Sequence, residues 1–293
     1  MRMDGQEESS NVEDVRGMGG GGGGFGIGGR GLGIGSIVIA VIAGWIFGIN
    51  PLTLLGMMEG GGSGQVVQQQ GPAPAPPKDD PGARFVSQVL RSTEQVWTDV
   101  FRESGRTYQA PKLVLFSGRW PTACGQGQSA MGPFYCPEDH KVYIDLSFYR
   151  VLEQKLGAPG QFAQAYVVAH EVGHHVQQQL GIMDKVDALR GRSGGAQANA
   201  LSVRVELQAD CFAGVWAARS QKENGWRLDP GDIETALNAA AQIGDDTLQR
   251  RSQGAVVPES FTHGTSAQRV NWFKRGVDSG NVESCNTFEG RDL

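Results

Sequence analysis

Apolar residues recur at helical spacing between residues 84 and 104. Phe85, Val89, Val96, Val100 and Phe101 fall on one face, which predicts an amphipathic helix with that face buried. Two short runs follow a different rule. "KLVLF" at 112–116 and "KVYIDL" at 141–146 are rich in branched and aromatic residues and read as strands. "SFYRVLEQKLG" then starts a helix that Ser147 is placed to cap. Further helices are expected over 165–181, over 203–219, from about Pro230 to Arg250, and from about Ser266 to Val277. The order of elements indicates an α+β domain, a small sheet leading into a mostly helical half. "KVYIDL" directly precedes those helices and is the strand expected to border a cleft and pair with an extended ligand.

One stretch departs from both periods. "LGIGSIVIAVIAGWIFGI", residues 32–49, carries no charge, and its length suits a transmembrane helix. It starts too far along the chain for a signal peptide. Arg16 and Arg30 precede it, and no Lys or Arg follows until Lys78. That asymmetry predicts a single-pass inner (cytoplasmic) membrane protein, N-terminus cytoplasmic, with the long C-terminal part periplasmic or extracellular. Many of the 44 glycines crowd the region before the span. Residues 1–31 are therefore expected to be a disordered cytoplasmic segment, and 50–83 a Gly/Pro/Gln-rich linker. A G-x-G-x-x-G match at Gly26, Gly28 and Gly31 follows no strand and does not indicate a nucleotide site. The remaining 84–293 is long enough to bury its own core. A net charge of −5 without a basic patch gives no reason to expect nucleic acid as a partner.

The chemistry concentrates in "AYVVAHEVGHHVQQQLG". His170 and His174, four residues apart on a helix, share a face and can reach one metal ion. Glu171 points to a neighbouring side, where it can act as general base on a water without ligating the metal. His175 faces away. The longer pattern with a third histidine is excluded, because Leu180 and Gln177 stand where its histidine and glycine belong. The remaining common solution is a carboxylate from a later helix. In "VRVELQADCFAGVWAAR", Glu206 and Asp210 share a face among apolar residues. Glu206 is the expected third ligand, and Asp210 the group that would hold a ligand histidine by its other ring nitrogen. "FTHGTSAQRV" supplies two more catalytic candidates, His263 and Arg269. Either could donate to a developing oxyanion. The structural alternative has His263 at a helix start, with Thr265 or Ser266 as cap, and Arg269 paired with Asp210. His140 and Tyr143 are weaker candidates.

The stretches "SSNVEDVRG", "ACGQGQSAMGPFYCPEDHKVYIDLSFY", "HEVGHHVQQQLG", "ELQADCFAGVWA" and "FTHGTSAQRVNWF" together resemble the bacterial neutral zinc metallopeptidase family, membrane-anchored proteins of the gluzincin kind. The resemblance covers nearly the whole chain apart from the linker. It implies Zn2+, a zincin-like catalytic domain and hydrolysis of a peptide or protein substrate. Four cysteines, none in a C-x-x-C pair, fit export and two disulfides. Cys124 and Cys136 bracket one loop and are paired here, which leaves Cys211 with Cys285. Two other readings stand beside the peptidase. One is a membrane-tethered scaffold that keeps zinc for structure. The other is an amidase acting on non-peptide substrates with the same machinery.

Overall fold

The computed structural model describes residues 1, 5–18, 73–129, 132–223, 228–253 and 256–289. Strand β1 (Val12–Asp14) is followed by helix α1 (Pro81–Glu103), strand β2 (Lys112–Leu115), the hairpin β3 (Arg119–Thr122) and β4 (Gly125–Gln128), and strands β5 (Phe134–Cys136) and β6 (Lys141–Ile144). Helices α2 (Phe148–Gln154), α3 (Gln161–Gln179), α4 (Ile182–Arg190), α5 (Gly195–Glu223), α6 (Asp232–Gln242), α7 (Asp245–Gln253) and α8 (Ser266–Ser279) complete the α+β fold. The expected helix over 230–250 is therefore two helices. The chain turns at Gly244, where a Cβ would collide with the backbone of Ser266.

The main sheet runs β1-β2-β6-β5. β1, β2 and β6 are parallel, and β5 is antiparallel to β6. Side-chain alternation divides the strands between two cores. Leu113, Leu115, Val142 and Ile144 join the helices in the large core. Val114, Phe116, Cys136 and Tyr143 form a smaller one on the other face, against Trp120 and Phe134. "KVYIDL" is thus no edge: β6 lies between β2 and β5, and β5 is the edge strand on the side of α3. Ser147 precedes α2 without a side-chain capping bond. Thr265 caps α8 in a reciprocal capping box with Gln268.

β1 corrects the reading of the N-terminal region. Residues 12–14 pair with 113–115, and Val12 and Val15 are buried. Ser9 and Asn11 bond Glu94 of α1, and Glu13 pairs with Lys112 and Lys141. The expected disordered segment thus includes an integral strand of the domain. The localisation expectation is overturned as well. No helix among the described residues is long and apolar enough to cross a membrane. Residues 32–49 and the Gly-rich run lie outside the described residues. A single crossing there would put β1 and β2 on opposite sides of a bilayer, yet the two strands are hydrogen-bonded partners.

Both disulfides are present, Cys124–Cys136 with S–S 2.03 Å and Cys211–Cys285 with S–S 2.00 Å. The second ties the middle of α5 to the short 3-10 turn Val282–Cys285 after α8.

Candidate metal centre

Close helix packing builds the site. Gly173 lies one residue before His174, and a Cβ there would meet the Ala209 carbonyl at 3.1 Å. Its bare Cα lets α3 approach α5 in the turn that carries Glu206 and Asp210. As a result His170, His174 and Glu206 present ligand atoms all within 4.8 Å of one another. His170 Nε2 lies 3.2 Å from Glu206 Oε2, and His174 Nε2 lies 3.6 Å from Glu206 Oε1.

The opposite ring nitrogens are already committed. His170 Nδ1 is 2.9 Å from Asp210 Oδ1, and His174 Nδ1 is 2.9 Å from Gln177 Oε1. Oxygen acceptors there place hydrogens on both Nδ1 atoms and turn both Nε2 atoms toward the Glu206 carboxylate. Two imidazole nitrogens and one carboxylate form a donor set suited to zinc. Electrostatics favour positive charge at this point. Burial alone would depress the His170 pKa, but the adjacent Asp210 charge and hydrogen bond raise it to about 10. Burial pushes the Glu206 carboxyl up, yet the neighbouring His174 and His263 hold it well below its ordinary value.

Glu171 is 9 % exposed, and burial raises its pKa against the opposing pull of His170 and His174. The backbone of Tyr135, on edge strand β5, lies close enough to favour its ionised form slightly. His175 faces the other way, with Nε2 2.7 Å from the Gln109 carbonyl and Nδ1 3.0 Å from the Tyr135 hydroxyl. His140, at φ 57°, lies 3.2 Å from that hydroxyl, and the Tyr143 hydroxyl bonds Asp139.

The two candidates from "FTHGTSAQRV" separate. Arg269 is 2 % exposed and grips Asp210 with Nε and Nη2 at 2.8 and 2.9 Å. Tyr166 bonds the same carboxylate. The guanidinium is thereby consumed behind His170, in the structural role weighed for it. His263 lies near enough to Glu206 for its charge to act on that carboxylate. Its Nδ1 is 3.3 Å from Asp245 Oδ1. The other oxygen of Asp245 accepts the backbone N–H groups of Thr262, His263 and Gly264, which fixes the loop.

Sequence reading passed over Gln177, Tyr135 and Asp245. Gln177 stood three residues from His174, a spacing that faces it on a helix. The Gly244-Asp245 step was a legible helix break. Nothing local marked Tyr135, whose contact depends on a sheet edge reaching a helix.

Two imidazoles one turn apart on a helix, joined by a carboxylate from a second helix beside a small mixed sheet, make a group that could hold a metal ion. The chain belongs to the family described as "Putative neutral zinc metallopeptidase", which matches residues 1–288, and zinc is the metal this family implies. It is 53% identical over 288 residues to "Uncharacterized protein YpfJ" of Escherichia coli (strain K12), covering 98% of this chain and 99% of that one. It is 42% identical over 219 residues to "Uncharacterized protein Mb2605" of Mycobacterium bovis, covering 72% and 73%. No solved structure matches the chain.

Proposed function

We propose that this protein hydrolyses peptide bonds, with His170, His174 and Glu206 holding zinc and Glu171 as general base. The observation that carries the reading is the convergence of those three ligand atoms beside a buried carboxylate that is not one of them. When bound, zinc supplies a Lewis acid that makes water a usable nucleophile near neutral pH. Glu171 takes the proton of the attacking water and passes it to the leaving nitrogen. Its raised pKa suits a group that must both accept and return a proton. His263, braced by Asp245, donates to the oxygen of the carbonyl under attack. Arg269 serves at one remove by keeping Asp210 ionised against His170. The free side of β5 is where an extended substrate pairs, since β6 is enclosed.

The test compares Glu171→Gln with Glu206→Gln by metal analysis and peptide cleavage. Glu171→Gln should keep about one zinc per chain and lose roughly 10²–10⁴ in rate. Glu206→Gln should lose zinc affinity itself. If Glu171→Gln sheds zinc as badly as Glu206→Gln, the division of roles is wrong. A parent that binds zinc and cleaves no member of a broad peptide library counts against peptidase activity.

A further inference from the structure

Behind His174 runs a one-way chain of hydrogen bonds. The Gln177 side-chain amide lies between His174 Nδ1, the Val205 carbonyl at 2.7 Å and Gln208 Oε1 at 3.0 Å. A backbone carbonyl only accepts, so the Gln177 atom facing Val205 is the –NH2 group. Its oxygen then faces His174. The flipped amide would set oxygen against oxygen at Val205. The same logic repeats one step on. Gln208 Nε2 lies 3.0 Å from the Cys285 carbonyl, another pure acceptor, so Gln208 turns its oxygen toward Gln177. Gln177 is fully buried and Gln208 is 5 % exposed, so water does not compete for these groups.

Two backbone carbonyls therefore set the polarity of the whole chain. With an acceptor fixed at its Nδ1, His174 is held in the Nδ1–H tautomer, the form whose Nε2 lone pair is free toward Glu206. At His170 a different device, the Asp210 carboxylate, fixes the hydrogen on Nδ1. We infer that Gln177 and Gln208 are positioning residues for the metal site, which fix the tautomer of His174 from the Cys285 carbonyl. The inference rests on His174 being a metal ligand, but the tautomer exists without metal and is measurable separately. The relay ends on a residue of the Cys211–Cys285 disulfide, which pins the last acceptor to α5.

The experiment uses the full chain, with far-UV circular dichroism to verify folding. In metal-free protein at mildly alkaline pH, imidazole nitrogen chemical shifts report the His174 tautomer. Zinc affinity is read separately by competition with a chelator. The parent should show the Nδ1–H form. Gln177→Leu should show mixed tautomers and roughly tenfold to hundredfold weaker zinc binding, the range for losing such an outer partner. Gln177→Glu keeps an acceptor for Nδ1 and should keep the tautomer, although a merely space-filling role would make this buried charge the worse change. A folded Gln177→Leu with the parent's tautomer and an affinity within about threefold overturns the relay. Should Gln177→Leu fail to fold, Gln208→Leu carries the same test by the same criteria. A parent that binds no zinc, or a His174→Ala variant that binds it undiminished, refutes the ligand assignment, and the tautomer shifts still decide the relay.

Discussion

Asp210 shows how much one buried carboxylate does here. Fully buried, it holds His170 with one oxygen and Arg269 with both. Burial opposes its ionisation, but Arg269 and then His170 outweigh that and lower its pKa. Its helical spacing from Glu206 was readable in the sequence, because a four-residue period is local. The destination of Arg269 was not, since it depends on where α8 docks. His175 makes a converse case, a buried histidine kept neutral. Burial, with a further push from His140, lowers its pKa from 6.5 to about 4, and the Gln109 carbonyl only partly offsets this. Below pH 6.5 the unfolded chain takes a proton that the folded one refuses, so stability falls as pH drops from 6.5 toward 4. The loss should reach on the order of 2 kcal/mol by about pH 5. Urea unfolding of parent and His175→Phe, both with chelator to exclude metal release, would measure it at pH 7 and pH 5. The variant should lose that part of the slope. An identical pH dependence in both proteins would show that His175 does not carry it.

Between elements, glycines set the distances on which the site depends. Gly214 of α5 and Gly276 of α8 face one another. A Cβ on Gly276 would run into the Cys211 carbonyl, and one on Gly214 into the Phe273 carbonyl. The two helices thus touch backbone to backbone, which brings Arg269 of α8 to Asp210 of α5. Gly276→Ala should push the helices apart and cost about 1–3 kcal/mol, as overpacking does. The thermal midpoint should fall by several degrees, roughly 2–4 °C per kcal/mol for a chain of this size. Gly191→Ala is the control, since a Cβ there finds no atom nearer than 3.5 Å. A Gly276→Ala midpoint no lower than that of the control would mean the contact is slack. Most helix periods, a cap at Thr265 or Ser266 and the cysteine pairing were legible because each is written within a short window or by elimination. A glycine inside a helical pattern signals a close approach but does not name its partner.

At the scale of the whole molecule, the sequence misled where a local pattern stood in for topology. "VED" is three residues in an acidic stretch, too short for alternation to mark a strand. Its partner β2 lies about a hundred residues away, and parallel pairing leaves no turn signature. The charge-free run at 32–49 was conspicuous by comparison, so the positive-inside argument placed the two ends of the chain in different compartments. The sheet places them together. Asp14 donates its N–H to the Pro74 carbonyl at 2.8 Å, so the chain on either side of residues 19–72 meets at one sheet edge. Arg16 reinforces the junction by pairing with Asp14 and Asp80. Pairing of β1 with β2 requires that residues 5–18 and 73–289 share one compartment. All four cysteines are in disulfides, so a single introduced cysteine is the one free thiol in the chain. Ser10→Cys and Arg150→Cys place that thiol at exposed positions on the two sides of the junction. In intact cells, a membrane-impermeant thiol reagent should label both variants or neither, and after lysis it should label both. Labelling of one alone in intact cells would return the two segments to opposite sides of a membrane, and β1 could not then be a strand of this sheet.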